Sequence, residues 1–196
     1  MENISITLNR DTRFRDIVVE TVGKDLFACY QCYKCSAGCP VSFAMDLLPH
    51  QVVRSILFLQ KEKVLSSRTI WICASCETCT TRCPNEIDIA KVMDVLRQIQ
   101  IESGKIAKEP KVPIFHKVFL DTIKKSGRVH ELSMLRNFSL RSGDLKEKIK
   151  TGEWKNDLRL GLKMFLRGKL KILPPKCKGK EEVRRIFEQA EEHKKV

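Results

Sequence analysis

Four cysteines, Cys29, Cys32, Cys35 and Cys39, precede Pro40, and the same set returns as Cys73, Cys76, Cys79 and Cys83 before Pro84. Each member of the second set lies 44 residues after its counterpart, so the chain holds a duplicated thiol unit. Thiolates are ligands for soft metals, and the spacing Cys-x2-Cys-x2-Cys-x3-Cys-Pro is that of two-cluster 4Fe-4S ferredoxins. Three thiolates two residues apart on a tight loop reach three iron corners of one cubane, and the loop's backbone N–H groups then face its sulfurs. In such ferredoxins the fourth cysteine ligates the other cluster. That rule assigns Cys29, Cys32, Cys35 and Cys83 to one cluster and Cys73, Cys76, Cys79 and Cys39 to the second. Two independent clusters, each using its own four cysteines, would keep the chemistry and change only the pairing. In either case the expected task is to carry electrons.

Two other uses of cysteine fit less well. A disulfide framework needs an oxidising compartment, and the N-terminus Met-Glu-Asn-Ile-Ser-Ile lacks the basic and apolar regions of a signal peptide. Structural zinc uses two Cys-x2-Cys pairs, whereas here each pair is followed by a third and a fourth cysteine that tetrahedral zinc cannot use. The repeat also runs past the ligands, because Phe27 and Trp71 correspond across the same offset, as do Lys24 and Arg68. An aromatic two residues ahead of each motif would shield a cluster from water and tune its potential, or would simply be core.

The elements that must hold these loops are read from periodicity. Phe14, Ile17, Val18 and Val22 mark a helix after Asp11 that ends near Gly23. Asp46 is placed to cap a helix reaching about Lys63, with Pro49 in its first turn and Leu48, Val52, Val53, Ile56 and Leu57 at helical spacing. Ile89, Val92, Met93, Leu96 and Ile99 mark another, capped by Asn85 or Asp88. Each motif proline is expected to lead straight into a helix. Only Ile4, Ile6 and Leu8 alternate like a strand. The 33 residues between Cys39 and Cys73 hold a long helical pattern and few turn signals, which favours an α-helical ferredoxin domain over the small β-hairpin kind. The expected fold class is therefore all-α, with a two-cluster domain over residues 1–102 and a helical extension over 103–196. Within the extension, helices are expected near 112–125, 129–140, 154–168 and 180–193, broken at Gly127, Gly143, Gly152, Gly168, Pro174 and Pro175.

Charge separates the same two parts. Of the 196 residues, 1–102 carry 12 Lys plus Arg against 12 Asp plus Glu, and 103–196 carry 25 against 12, which accounts for the whole net charge of +13. The basic residues are scattered among apolar ones, as in Leu158-Arg159-Leu160-Gly161-Leu162-Lys163-Met164-Phe165-Leu166-Arg167, which is the pattern of a folded helix or of one that folds on docking. A cluster with four thiolates is net negative, so this surplus would balance the cluster half or an acidic partner surface. The apolar runs are too short to cross a bilayer. Eight of nine cysteines crowded between 29 and 83 point to a reducing cytoplasm. A basic nucleic-acid-binding module with structural metal is the reading of another class that a pI near 9.4 raises, and it requires strongly salt-dependent binding.

The two motifs resemble a known family. The lead-in Leu26-Phe27-Ala28-Cys29-Tyr30-Gln31-Cys32-Tyr33-Lys34-Cys35-Ser36-Ala37-Gly38-Cys39-Pro40 and the segment Trp71-Ile72-Cys73-Ala74-Ser75-Cys76-Glu77-Thr78-Cys79 look like the iron-sulfur subunit (designated C) of the methanogen CoB-CoM heterodisulfide reductase. The likeness covers roughly residues 8–102, and Met164-Phe165-Leu166-Arg167-Gly168-Lys169-Leu170 followed by Leu173-Pro174-Pro175 is similar to that family's C-terminal part. It implies an electron-transfer subunit with two 4Fe-4S clusters. Electrons would pass from a flavin-containing partner to a catalytic partner that reduces the mixed disulfide of coenzyme M and coenzyme B in methanogenesis. A hydrogenase or formate dehydrogenase would stand upstream. Similar helical two-cluster domains occur in iron-sulfur subunits of fumarate reductase, succinate dehydrogenase and anaerobic glycerol-3-phosphate dehydrogenase. No Gly-x-Gly-x-x-Gly or phosphate loop is present, so no substrate-converting site is expected in this chain.

The remaining polar residues give weak signals. His50, His116, His130 and His193 show no metal-ligand spacing and are expected at the surface or in satisfied core positions. Cys177 stands alone between Lys176 and Lys178 with no resolving partner in the sequence, so no role is assigned to it.

Overall fold

The computed structural model of the chain describes residues 12–23, 26–104, 107–169 and 177–193, and these are helices, turns and loops with no strand among them. The short alternating run Ile4, Ile6 and Leu8, together with Asp11, Lys24 and residues 170–176, falls outside the described residues. The chain divides into two compact units, Met1–Glu109 and Pro110–Val196.

In the first unit, α1 (Arg13–Val22) presents Phe14, Val18 and Val22 to the core at a spacing of one helical turn, and Ile17 lies outside. It stops where Gly23 takes φ 73°, a left-handed conformation open to glycine, and donates its N–H to Val19 O at 3.0 Å. The central element is α7 (Ile89–Glu102), which packs against α1, α4 (Lys61–Leu65), α5 (Thr69–Ile72) and α6 (Thr78–Thr81). Its Val92, Met93 and Leu96 are almost wholly buried, each contributing about 1.5–3 kcal/mol of hydrophobic stabilisation. Asp88 caps it by accepting from Lys91 N at 2.9 Å. Asn85, the other cap candidate, instead donates its amide to Ala28 O.

Two sequence expectations need correction here. The helix placed from Asp46 to Lys63 is two helices, α3 (Pro49–Leu57) and α4. Between them Leu59 adopts φ 59° and Gln60 N donates to Ser55 O at 2.8 Å, which closes the end of α3 on its own carbonyls. Asp46 caps neither. Its carboxylate accepts from Arg68 N at 3.0 Å and from Thr69 N at 3.2 Å, so it caps α5 from 22 residues upstream. The N–H of Leu48 at the start of α3 is taken by the Gln51 side chain at 2.9 Å, with Pro49 in the first turn as expected. Nor do the motif prolines begin helices. A short 3-10 turn, Ser42–Ala44, follows Pro40, and α7 starts five residues after Pro84.

In the second unit, α8 (Lys111–Ser126) packs on α9 (Glu131–Ser142) and α12 (Lys180–His193), and α10 (Asp144–Thr151) packs between α9 and α11 (Trp154–Leu166). Helix α10 is not among the expected helices and fills the stretch between the breaks at Gly143 and Gly152. Both glycines lie at φ 78° and bracket it. Phe115 meets Phe138 edge-on at 5.8 Å. His130 is buried and caps α9 through Ser133 N at 3.3 Å, the satisfied position expected of it.

Candidate metal centre

Each thiol motif folds in the same way because its backbone repeats the same unusual angles. Gln31 and Tyr33 have φ 55° and 68°, and Ser75 and Glu77, each 44 residues later, have φ 48° and 59°. Left-handed residues on both sides of Cys32 and of Cys76 turn successive N–H groups inward, a concavity suited to anions and to the sulfurs of iron-sulfur clusters. The N–H of Ser75 reaches the sulfur of Cys73, and that of Thr78 the sulfur of Cys76. A one-turn helix then begins at Lys34 (α2, Lys34–Ala37) and at Thr78 (α6), carrying the third cysteine of each set.

α2 packs on α6, and this contact crosses the two motifs. Gly38 and Arg82 are equivalents across the 44-residue repeat and they meet each other: a Cβ on Gly38 would lie 2.7 Å from Arg82 Cδ. The Arg82 side chain thus lies in the space that a side chain at position 38 would fill. Beyond the junction the chain delivers each fourth cysteine to the other motif. One cavity is lined by Cys73, Cys76, Cys79 and Cys39, with Val41, Met45, Pro49, Ala90 and Met93 among its walls. The other is lined by Cys29, Cys32, Cys35 and Cys83, with Tyr30, Tyr33, His50 and Ile89. Their volumes, including the open mouths, are alike at about 360 and 320 Å3. Among the described residues no group of three His, Cys, Asp or Glu side chains is placed to hold a single metal ion.

Electrostatics differ from thiol to thiol. Burial pushes Cys79 up to about 11, with the neighbouring Cys73 adding to the rise, and burial likewise raises Cys73 and Cys35. Cys76 is lowered by hydrogen bonds from the Thr78 hydroxyl and N–H. Buried thiols in this state resist losing a proton unless a cation takes its place, which is what a soft metal centre supplies. Gln31 Nε2 donates to Cys29 Sγ at 3.2 Å, so a further donor faces the sulfurs of the first set.

Several supporting residues carry no sequence signal. Arg97 on α7 donates to the carbonyls of Ile70 and Cys73, to Ser75 Oγ at 3.0 Å and to Asp94 Oδ1 at 2.7 Å, locking the entry to the second motif. In the sequence it is one more charge on the polar face of a helix. His50, set aside in the sequence reading, bonds Ser36 Oγ through Nδ1 at 2.7 Å and meets the Tyr33 ring edge-on at 5.0 Å. The paired aromatics part company. Trp71 is buried, with Nε1 donating to Gln100 Oε1, whereas Phe27 is 58% exposed under the Arg15 guanidinium at 5.2 Å. Neither lines a thiol cavity, so shielding is not their part.

The described residues form helices that carry two four-thiol cavities, and residues 25–87 match the family described as the 4Fe-4S dicluster domain. Over 91 residues the chain is 35% identical to the CoB–CoM heterodisulfide reductase iron-sulfur subunit designated C 2 of Methanocaldococcus jannaschii, covering 46% of this chain and 48% of the relative. Over 106 residues it is 29% identical to the subunit designated C of the H(2):CoB-CoM heterodisulfide,ferredoxin reductase of Methanothermobacter marburgensis, covering 54% and 57%. Over 85 residues it is 38% identical to the subunit designated C of the Ferredoxin:CoB-CoM heterodisulfide reductase of Methanosarcina acetivorans, covering 43% and 33%. The chain thus spans about half the length, or less, of these curated relatives. Among the described residues no helix is long and apolar enough to cross a membrane.

Proposed function

We propose that this chain is the electron-relay subunit of a heterodisulfide reductase complex. Cys29, Cys32, Cys35 and Cys83 would hold one 4Fe-4S cluster, and Cys73, Cys76, Cys79 and Cys39 the other. The observation that carries the reading is the composition of the two cavities, each gathering three thiols of one motif and the fourth of the other. When bound, a 4Fe-4S cluster supplies a one-electron couple. The chain's own residues hold and tune it: the left-handed loops aim N–H groups at the sulfurs, Arg97 fixes one loop, and Val41, Met45 and Met93 exclude water from one side of a cavity. Electrons would enter from a flavin-containing partner and leave to a catalytic partner that reduces the disulfide of coenzyme M and coenzyme B. This relay is supported by the names of the relatives. A hydrogenase or formate dehydrogenase would supply them upstream. The concentration of unpaired thiols supports a reducing cytoplasm as the setting.

The extension would dock partners. On α11, Trp154, Leu158, Leu160, Leu162, Phe165 and Leu166 are exposed around the helix with Arg159 and Lys163 among them, a mixed apolar and basic surface suited to an apolar partner surface with acidic groups. The test is anaerobic co-purification of the chain with the flavin-containing and catalytic subunits, followed by an assay of reduced-viologen oxidation dependent on the heterodisulfide. Activity that disappears when this chain is left out is expected. A complete, cluster-loaded complex inert to the heterodisulfide would assign the relay to another anaerobic oxidoreductase.

A further inference from the structure

The two thiol cavities repeat each other in backbone and cysteines, but not in charge. Among the described residues that line them, Lys34 is the charged side chain of the cavity of Cys29, Cys32, Cys35 and Cys83, and Glu77 that of the cavity of Cys73, Cys76, Cys79 and Cys39. Across the 44-residue repeat Lys34 corresponds to Thr78 and Glu77 to Tyr33, so each cavity has a charge where the other has a neutral side chain. We propose that Lys34 and Glu77 make the two sites unequal, so that the first accepts an electron more readily than the second and an electron arriving at the pair rests there. This rests on the crossed ligation proposed above.

The argument is one of differences. An added electron makes a centre more negative, which a nearby ammonium favours and a nearby carboxylate opposes. Several other influences on the potential are alike in the two sites. Backbone N–H groups are turned inward by the same pair of left-handed residues in both loops. Side-chain hydrogen-bonding groups are matched, with Gln31 at Cys29 and Ser36 at Cys35 in one, and Thr78 at Cys76 and Thr80 at Cys79 in the other. The Arg97 guanidinium bears on Cys73, but Asp94 lies 2.7 Å from it and the pair presents little net charge. Arg82 lies at the junction of the two motifs, against Gly38, and lines neither cavity. What remains is Lys34 against Glu77. The first mouth also carries the exposed rings of Tyr30 and Tyr33, where the second has Ala74 and Glu77.

The test is an anaerobic redox titration, followed by electron paramagnetic resonance, of the full-length chain loaded with its clusters. Wild type should give two one-electron waves. Lys34→Gln should lower only the higher wave, and Glu77→Gln should raise only the lower. Each shift should be about threefold in the reduced-to-oxidised ratio, or about 30 mV at 59 mV per tenfold for one electron. Lys34→Arg should restore the wild-type value. Both side chains are exposed, so iron and sulfide content should stay at two clusters in every variant. Coincident waves in wild type, a Lys34→Gln shift in the lower wave, or equal shifts of both waves would overturn the proposal with the ligation intact. A chain unable to hold two 4Fe-4S clusters would overturn the ligation and this proposal together.

Discussion

At the scale of single residues, the second motif depends on side chains far from it in sequence. Burial alone would raise the Asp46 carboxyl, but hydrogen bonds from Ser67, the Arg68 N–H, Thr69 and Lys108 outweigh it and hold Asp46 well below the usual carboxylate range. Its contribution to stability is therefore complete above its ordinary value of 3.8 and is lost as pH falls through the lower folded value. Asp46→Ala should destabilise the first unit by about 1–3 kcal/mol in anaerobic urea denaturation, with the loss constant from pH 8 down to 5. Trp71→Phe should cost about 1–3 kcal/mol, because buried Gln100 loses a donor, yet leave both cluster potentials unchanged. An altered potential would return Trp71 to the shielding part that its place before Cys73 suggested. The cysteines were legible in the sequence because their spacing is itself the chemistry. Asp46, Arg97 and His50 were not, because what distinguishes them is a partner some 14 to 27 residues away that no local pattern announces.

Among the elements, apolar periodicity located α1 and α7, since a buried stripe must repeat every turn, whereas the helices of the second unit were legible from the glycine and proline breaks between them. It failed at ends set by backbone closure rather than by composition. α3 stops at Leu57 because Leu59 takes the left-handed position usually given to glycine, and a leucine there carries no stop signal. The join between α6 and α7 shows how helix ends serve the site. Asp88 accepts from Lys91 N and from Thr80 Oγ1 at 3.0 Å, and Thr80 Oγ1 in turn accepts from Ala90 N at 3.2 Å. Asp88→Ala should cost about 1 kcal/mol and speed the loss of iron to a chelator from the site of Cys79, measured by the fading of its visible absorption. Equal rates in variant and wild type would mean that the α6–α7 join does not hold that loop.

For the whole molecule, a nearly neutral first unit and a basic second unit would divide the work between cofactor and partner. A chain cut after Glu109 should still bind two 4Fe-4S clusters, as judged by iron and sulfide content, because the first unit's core of Val18, Val53, Ile56, Met93 and Leu96 lies within it. The same cut should abolish co-purification with the catalytic and flavin-containing subunits. The duplication was plain in the sequence, but the junction between the two motifs, Gly38 against Arg82, emerges only when α2 lies on α6. Crossed ligation is the central claim about how the chain would hold its clusters, and the most direct test is alkylation mapping of anaerobically loaded Cys39→Ala protein by mass spectrometry. The account predicts that Cys73, Cys76 and Cys79 become reactive while Cys29, Cys32, Cys35 and Cys83 stay protected by the surviving cluster. Reactive Cys29, Cys32 and Cys35 beside a protected second motif would contradict it.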